Sequence, residues 1–273
     1  MSKAMIHPTA VIHPAARLAP DVRVGPYVVI DGPAEVGAGC VLEAHATLVG
    51  AVKMGKNNRI GHGAVLGGWP QDLSFAPETT MSGVEIGEDN VIREHVTMHR
   101  GTAPDSVTVL GNRCLLMAGA HLGHNVRVGD QCIIANHVLL GGYAEVGDRA
   151  FLGGGSVFHQ HVRVGRGVIV QGLSAFSKDV PPFTLAAERN MVAGLNVVGL
   201  RRSGFSAAER AELKRAFTLI FRRGLNVTQA LAEAKTQQWT CAAAEEFLDF
   251  IAGAKKRGIC ALLGSAHGGS AAE

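Results

Sequence analysis

Aromatic side chains are scarce, 5% of 273 residues, and charged ones make up only 18%. Any core must therefore be aliphatic, and an apolar fraction of 47% excludes a disordered chain. No run reaches the ~18 apolar residues of a membrane span, and the start, MSKAMIHPTA, lacks the apolar stretch of a signal peptide. The five cysteines form no CxxC and no close pair. That usage predicts buried free thiols in a reducing compartment, hence a cytoplasmic protein. A net charge of +3 is too small to indicate nucleic acid. There is no GxSxG, and no Ser or Cys stands in a nucleophile context.

What is abundant is glycine, 35 residues, and a repeat of six. Every sixth residue from Ile6 to Leu66 is large and apolar. The phase breaks at GWPQDLSFAPETTMSGVE, resumes at Ile86, Ile92 and Met98, breaks again near TAPDSVTV, and then runs from Leu110 to Phe176. The residue four places later is small, as at Ala34, Cys40, Ala120 and Cys132, and Gly often follows the large residue. Neither the 3.6 period of a helix nor the 2 of a plain strand gives a strict six. A two-residue strand followed by a tight turn does, which is the signature of a hexapeptide β-helix. The resemblance to hexapeptide-repeat proteins implies three hexads to a coil; coils stack about 4.8 Å apart, so residues 18 apart then lie one above another. The cysteines within the repeat fall in the small slot and belong to the core.

The repeat fades into SKDVPPFTLAAERN. Ser206 and Glu209 then form a capping box that opens a helix to about Arg223, with Gly224 as its stop. Two more helices are predicted near 227–238 and 242–257. The expected organisation is an all-β parallel β-helix over residues 1–180, with loops ejected near 67–85 and 102–109, and a C-terminal α-helical domain over 181–273. Between residues 201 and 223 there are seven Lys/Arg against two Glu. Such a concentrated basic element suits either an acidic partner or a solvated helix face.

The stretch GAHLGHNVRVGD holds the most informative polar residues. His124, Gly142 and Gln160 are spaced by 18 and share the third place of their hexads, so they form one column on one edge. His121, His159 and His99 lie close in sequence to that column. Four more histidines, His45, His95, His137 and His161, take the fourth place and read as turn residues. The column admits three readings. It is a set of surface histidines, a zinc site, or a general base. A zinc site lacks a carboxylate cluster to support it. A neutral imidazole titrates near working pH, and a Gly142 N–H one coil away can stabilise an oxyanion. Together these suit acyl transfer without a covalent enzyme intermediate.

The segments IHPTAVIHPAA, QDLSF, VEIGEDNVIREHVTMHRGT, LLMAGAHLGHNVRVGD, VFHQ, DVPPF and GLNVVGLRRSGFS resemble the UDP-N-acetylglucosamine 3-O-acyltransferase family over nearly the whole chain. The resemblance implies a left-handed β-helix assembled as a homotrimer with sites between neighbouring prisms. It implies transfer of an (R)-3-hydroxyacyl chain from acyl carrier protein to the glucosamine 3-position of the UDP-sugar, the first acylation of lipid A biosynthesis, with no cofactor and no metal. By the same resemblance His124 is the general base and Gly142 the oxyanion donor. His99, His121 and Gln160 contact substrate, Asp72 holds the sugar, Asn196 and Arg202 contact the nucleotide, and Gly172 limits acyl length. The basic 201–223 segment then suits the acidic carrier protein.

The chain departs from that family's pattern around the acceptor. Ser74 stands where Lys is frequent, Asn125 where Asp follows the base, Tyr143 where His follows the oxyanion glycine, and Val198 where Glu is found. These departures leave a 3-amino analogue of the nucleotide sugar as an alternative acceptor. Two other classes remain as rivals: a carbonic-anhydrase-like metalloenzyme on the same repeat, and a non-catalytic scaffold.

Overall fold

The computed structural model describes residues 5–77, 80–254 and 257–264. Its body is a three-sided prism of parallel strands, most of them two residues long. Up to Ala175–Phe176, consecutive strands go to successive faces, so each face collects every third strand; the last three strands all join face one. Face one has twelve strands including Leu115–Leu116, face two has nine including His121–Leu122, and face three has eight including Arg127–Val128.

The repeat of six is this geometry written in residues. The large residue of each hexad is the inward side chain of its strand. From Val24 to Phe176 these residues are at most 4% exposed. Burying each one contributes about 1.5–3 kcal/mol against leaving it in water. The fourth place carries the turn and adopts the left-handed conformation: His45, His95, His137 and His161 have φ of 62°, 57°, 56° and 62°. These are the turn residues expected from their place in the hexad. A left-handed residue costs roughly 1 kcal/mol unless it is Gly or a short polar residue; Gly, Asn and Asp take the place at several turns, whereas the histidines, Arg113, Tyr143 and Leu173 hold it at that cost.

The two breaks in phase become loops ejected from the edge between faces two and three. Val65–Gly68 ends before the first and Gly83–Ile86 resumes after it; Thr97–His99 and Val107–Leu110 flank the second. The stacking resumes unbroken across both, since Leu66 pairs with Met98 and Met98 with Leu122. Gly67 makes the first exit possible. Its φ is 85° and an added Cβ would strike the Val49 carbonyl.

Beyond Ala175–Phe176 the coil is closed over. Thr184–Ala187 stacks on Ile169–Val170, and Met191–Leu195 then pairs with it antiparallel. The period of six did not anticipate this reversal. Four helices follow: α1 (Val197–Arg202), α2 (Ala207–Arg222), α3 (Val227–Lys235) and α4 (Ala242–Ala252). The Ser206/Glu209 capping box forms as read, and α3 has a second one from Asn226 and Gln229. α3 stops three residues before 238 because the Thr236 N–H and hydroxyl turn back onto the Glu233 carbonyl. α1 was not foreseen; it is short, and Asn196 caps it. Arg163 pairs with Asp179, just past the last coil, at 2.7 Å and ties α4 to the prism by donating to the Phe250 carbonyl at 3.0 Å, and Arg166 does so through Glu246 at 2.6 Å. The five cysteines are free and buried.

Candidate active site

The column of His124, Gly142 and Gln160 exists and runs along the edge between faces two and three. A Cβ added to Gly142 would collide with Cε1 and Nε2 of His124, and one added to Gly141 would lie 2.7 Å from the Gln160 nitrogen. His124 is half-buried and its imidazole rests on the bare Cα of the next coil. The N–H of Gly142 makes no hydrogen bond among the described residues. The edge between faces three and one shows what the fold does elsewhere with the same N–H. There Asn112 donates to Asp130 Oδ1 at 2.8 Å and Asp130 to Asp148 Oδ1 at 2.9 Å, each using a side chain one coil on. Among the described residues no side chain takes the equivalent donor at Gly142, nor those of Asn136 and Gly154 on the edge between faces one and two. Gly123 helps keep the Gly142 donor uncrowded, since a Cβ there would sit 2.9 Å from the Gly142 nitrogen.

Two further histidines join from face two. His99 and His121 meet edge to face with ring centroids 4.7 Å apart. His121 Nδ1 shares a 2.7 Å hydrogen bond with the hydroxyl of Thr97, its register partner. Burial, reinforced by His121 and His124, pushes the His99 imidazole down to about 4, so His99 is neutral near pH 7. Burial also lowers His121.

Both ejected loops contribute. Asp72 is exposed, and its Oδ1 accepts the Ser74 N–H at 2.9 Å and the Ser74 hydroxyl at 2.7 Å. Those two bonds hold its carboxyl below the usual carboxylate range, with a weaker pull from His124. Ser74 thus braces the Asp72 carboxylate from within the loop. From the second loop, Thr102 reaches Asn125. Its N–H and hydroxyl both lie 3.1 Å from Asn125 Oδ1, and the same oxygen lies 3.1 Å from His124 Nδ1. Tyr143 completes the cluster, its hydroxyl 3.0 Å from that of Thr102. The Tyr143 ring stands edge-on to His124 and stacks on His161 at 4.8 Å.

The remaining expected residues divide between this column and other parts of the fold. Gln160 is exposed at the top of the column. Gly172 is exposed on the edge between faces one and two, where a Cβ would come 3.0 Å from the Gly154 carbonyl. Asn196 is buried; it accepts the Gly199 N–H at 2.8 Å and donates to the Gly167 carbonyl at 3.0 Å, on the edge between faces three and one. Arg202 is exposed at the end of α1. Within one chain, therefore, Asn196 and His124 occupy different edges. Spacing by 18 missed Thr97, Thr102 and Thr108, because the loops shift their numbers out of the column. Thr108 is fully buried and links the site's parts, donating to the His99 carbonyl at 2.6 Å and accepting the Asn125 N–H at 2.8 Å.

A family model described as UDP-N-acetylglucosamine O-acyltransferase, domain 2, matches residues 179–260, and one described as bacterial transferase hexapeptide (six repeats) matches 108–142. An acyl-[acyl-carrier-protein]–UDP-N-acetylglucosamine O-acyltransferase from Syntrophobacter fumaroxidans is 40% identical over 257 residues, 93% of this chain and 98% of that protein. The chain belongs to the UDP-N-acetylglucosamine O-acyltransferase family. A relative of the same description from Saccharophagus degradans is 43% identical, with 93% of this chain and 98% of that protein covered. Among solved structures, the family member from Bacteroides fragilis superposes with a TM-score of 0.88 at 38% identity, covering 93% of this chain and 99% of that one. The member from Acinetobacter baumannii gives 0.89 at 36% identity with the same coverage. The agreement runs through prism and helices alike.

Proposed function

We propose that the protein transfers an (R)-3-hydroxyacyl chain from acyl carrier protein to the 3-hydroxyl of UDP-N-acetylglucosamine, the first acylation of lipid A biosynthesis. The observation that carries this reading is the His124 ring seated on Gly142, whose N–H has no partner among the described residues. His124 Nε2 takes the proton of the acceptor hydroxyl as its oxygen attacks the thioester carbonyl. The Gly142 N–H holds the oxyanion that forms. As the intermediate collapses, the carbon–sulfur bond breaks and His124 returns the proton to the departing thiolate. Asp72 is suited to the sugar hydroxyls, Gln160, His121 and neutral His99 to its polar groups, and Gly172 to the end of the acyl chain. The exposed Lys214 and Arg202 on the helices offer charge to an acidic carrier protein.

The reading includes a homotrimer. Face three points alternating charges outward, Glu35, Lys53 and Glu85 being successive register partners. Face one points out Leu115, Ile133, Phe151 and Ile169, and face two Leu139 and Val157. Two faces whose apolar stretches meet each other head to tail close a ring and leave the charged face in water. Such a ring also brings the Asn196 edge of one copy to the His124 edge of the next. Asn196 keeps one Nδ2 hydrogen for a nucleotide there.

The test is direct. The purified protein is incubated with long-chain 3-hydroxyacyl carrier protein and UDP-N-acetylglucosamine, with the 3-amino analogue in parallel, and products are followed by mass. An acylated nucleotide sugar that disappears in His124→Ala supports the reading. No product with either acceptor, from a folded trimer, overturns it.

A further inference from the structure

The residue beside the proposed base is an amide, not a carboxylate, so it cannot stabilise an imidazolium by charge. What it does instead follows from its hydrogen bonds. The Thr102 N–H at 3.1 Å is a main-chain donor and cannot accept. The atom it meets must therefore be the amide oxygen, which fixes which way the Asn125 amide faces. That oxygen is also the partner of His124 Nδ1 at 3.1 Å. An amide oxygen only accepts, so Nδ1 must carry a hydrogen, and in the neutral ring Nε2 then holds the lone pair. The Asn125 backbone is held too, with φ of 59° and its N–H on Thr108 at 2.8 Å.

We infer that Asn125, oriented by the main-chain N–H of Thr102, is a positioning residue that fixes His124 as the Nδ1–H tautomer and presents its unprotonated Nε2 over Gly142. The second ejected loop thereby sets the protonation pattern of a side chain 22 positions further on. Tyr143 supports the Thr102 hydroxyl from the coil above. After proton uptake at Nε2 both ring nitrogens donate, and the Asn125 oxygen keeps its bond throughout. This deepens the general-base role proposed above and rests on it, but its primary readout does not depend on activity.

The experiment uses the full chain with 15N-labelled histidine. Long-range 1H–15N correlation reports which ring nitrogen of His124 is protonated, the signal being assigned by its loss in His124→Gln. The wild type is expected to show Nδ1 protonated and Nε2 bare above the imidazole titration. Asn125→Gly keeps the left-handed turn but lacks the amide. It should lose the tautomer preference and lower kcat about 10- to 100-fold, a part of the ~10²–10⁴-fold that a general base contributes, with KM for both substrates within about twofold. Asn125→Asp should restore the tautomer. Its charge favours the protonated ring, so the acid limb of kcat should move up by about one pH unit or more. The other titratable groups facing His124 are His99, Tyr143 and Asp72, and none of these changes. Thr102→Val retains the orienting N–H and should keep the tautomer. An Nε2–H tautomer in the wild type, a flipped one in Thr102→Val, or an unchanged one in Asn125→Gly overturns the inference. The expected tautomers with an active His124→Ala would instead sink the general-base role and leave the lock standing.

Discussion

Gly142→Ala is the sharpest perturbation the site allows. Gly142 does not have positive φ, so its backbone accepts alanine without strain. The cost falls on its neighbour. The new methyl would overlap Cε1 and Nε2 of His124 and lie 3.0 Å from Cδ2. Carbon contacts relax at about 3.5 Å or more, so the ring must retreat by about 1 Å. A misplacement of that size costs on the order of 100-fold in rate, equal to about 2.7 kcal/mol of transition-state stabilisation. The assay is steady-state acylation of UDP-N-acetylglucosamine, with thermal unfolding alongside. The expected result is kcat reduced about 100-fold while Tm stays within a few degrees, because the strain is absorbed at a half-buried surface ring. Gly194→Ala is the control: its Cβ would meet nothing within 4 Å, away from the column. Wild-type kcat in folded Gly142→Ala would refute the placement of the base on that glycine.

Other consequences reach beyond the rate. His99 is held down to about 4 in the folded chain, against an ordinary value near 6.5. The unfolded chain therefore binds more protons between those values, and stability falls as pH drops through that window. Urea midpoints should fall more steeply between pH 6.5 and 4 in the wild type than in His99→Gln, and parallel curves would show the group is not so perturbed. Arg163→Met strips the nearly buried Asp179 carboxylate of its 2.7 Å partner and frees the Phe250 carbonyl. It should destabilise the chain by about 3 kcal/mol in urea. Gly172→Met should shorten the preferred acyl chain, read by competition between donors of different length, and an unaltered preference would remove Gly172 from the length-setting role.

Legibility in the sequence followed from how local each feature is. The inward residues are set by one strand and one turn, so a step of six found them from Ile6 to Phe176. The fourth-place histidines were recognisable because the turn demands a left-handed residue, and their φ values meet that demand. The capping box of α2 was legible because all its atoms lie within four residues. The antiparallel Met191–Leu195 pairing was not, because it depends on where the last coil happens to end. α1 has six residues and no periodicity to detect.

The site itself divides along the same line, and the division bears on why the partner of the proposed base is neutral. A column spaced by 18 is visible only where no loop intervenes. His124, Gly142 and Gln160 satisfy that condition. Thr97 pairs with His121 across 24 residues, because the second loop adds six. Thr102 lies inside that loop and has no hexad place at all. Yet Thr102 supplies the one main-chain donor that decides how the Asn125 amide faces. A carboxylate in place of Asn125 would need no such donor, since both its oxygens accept. The exchange of charge for orientation therefore requires a loop that the repeat cannot encode, and Asn125 makes sense as a tautomer-fixing residue only once that loop is folded against it.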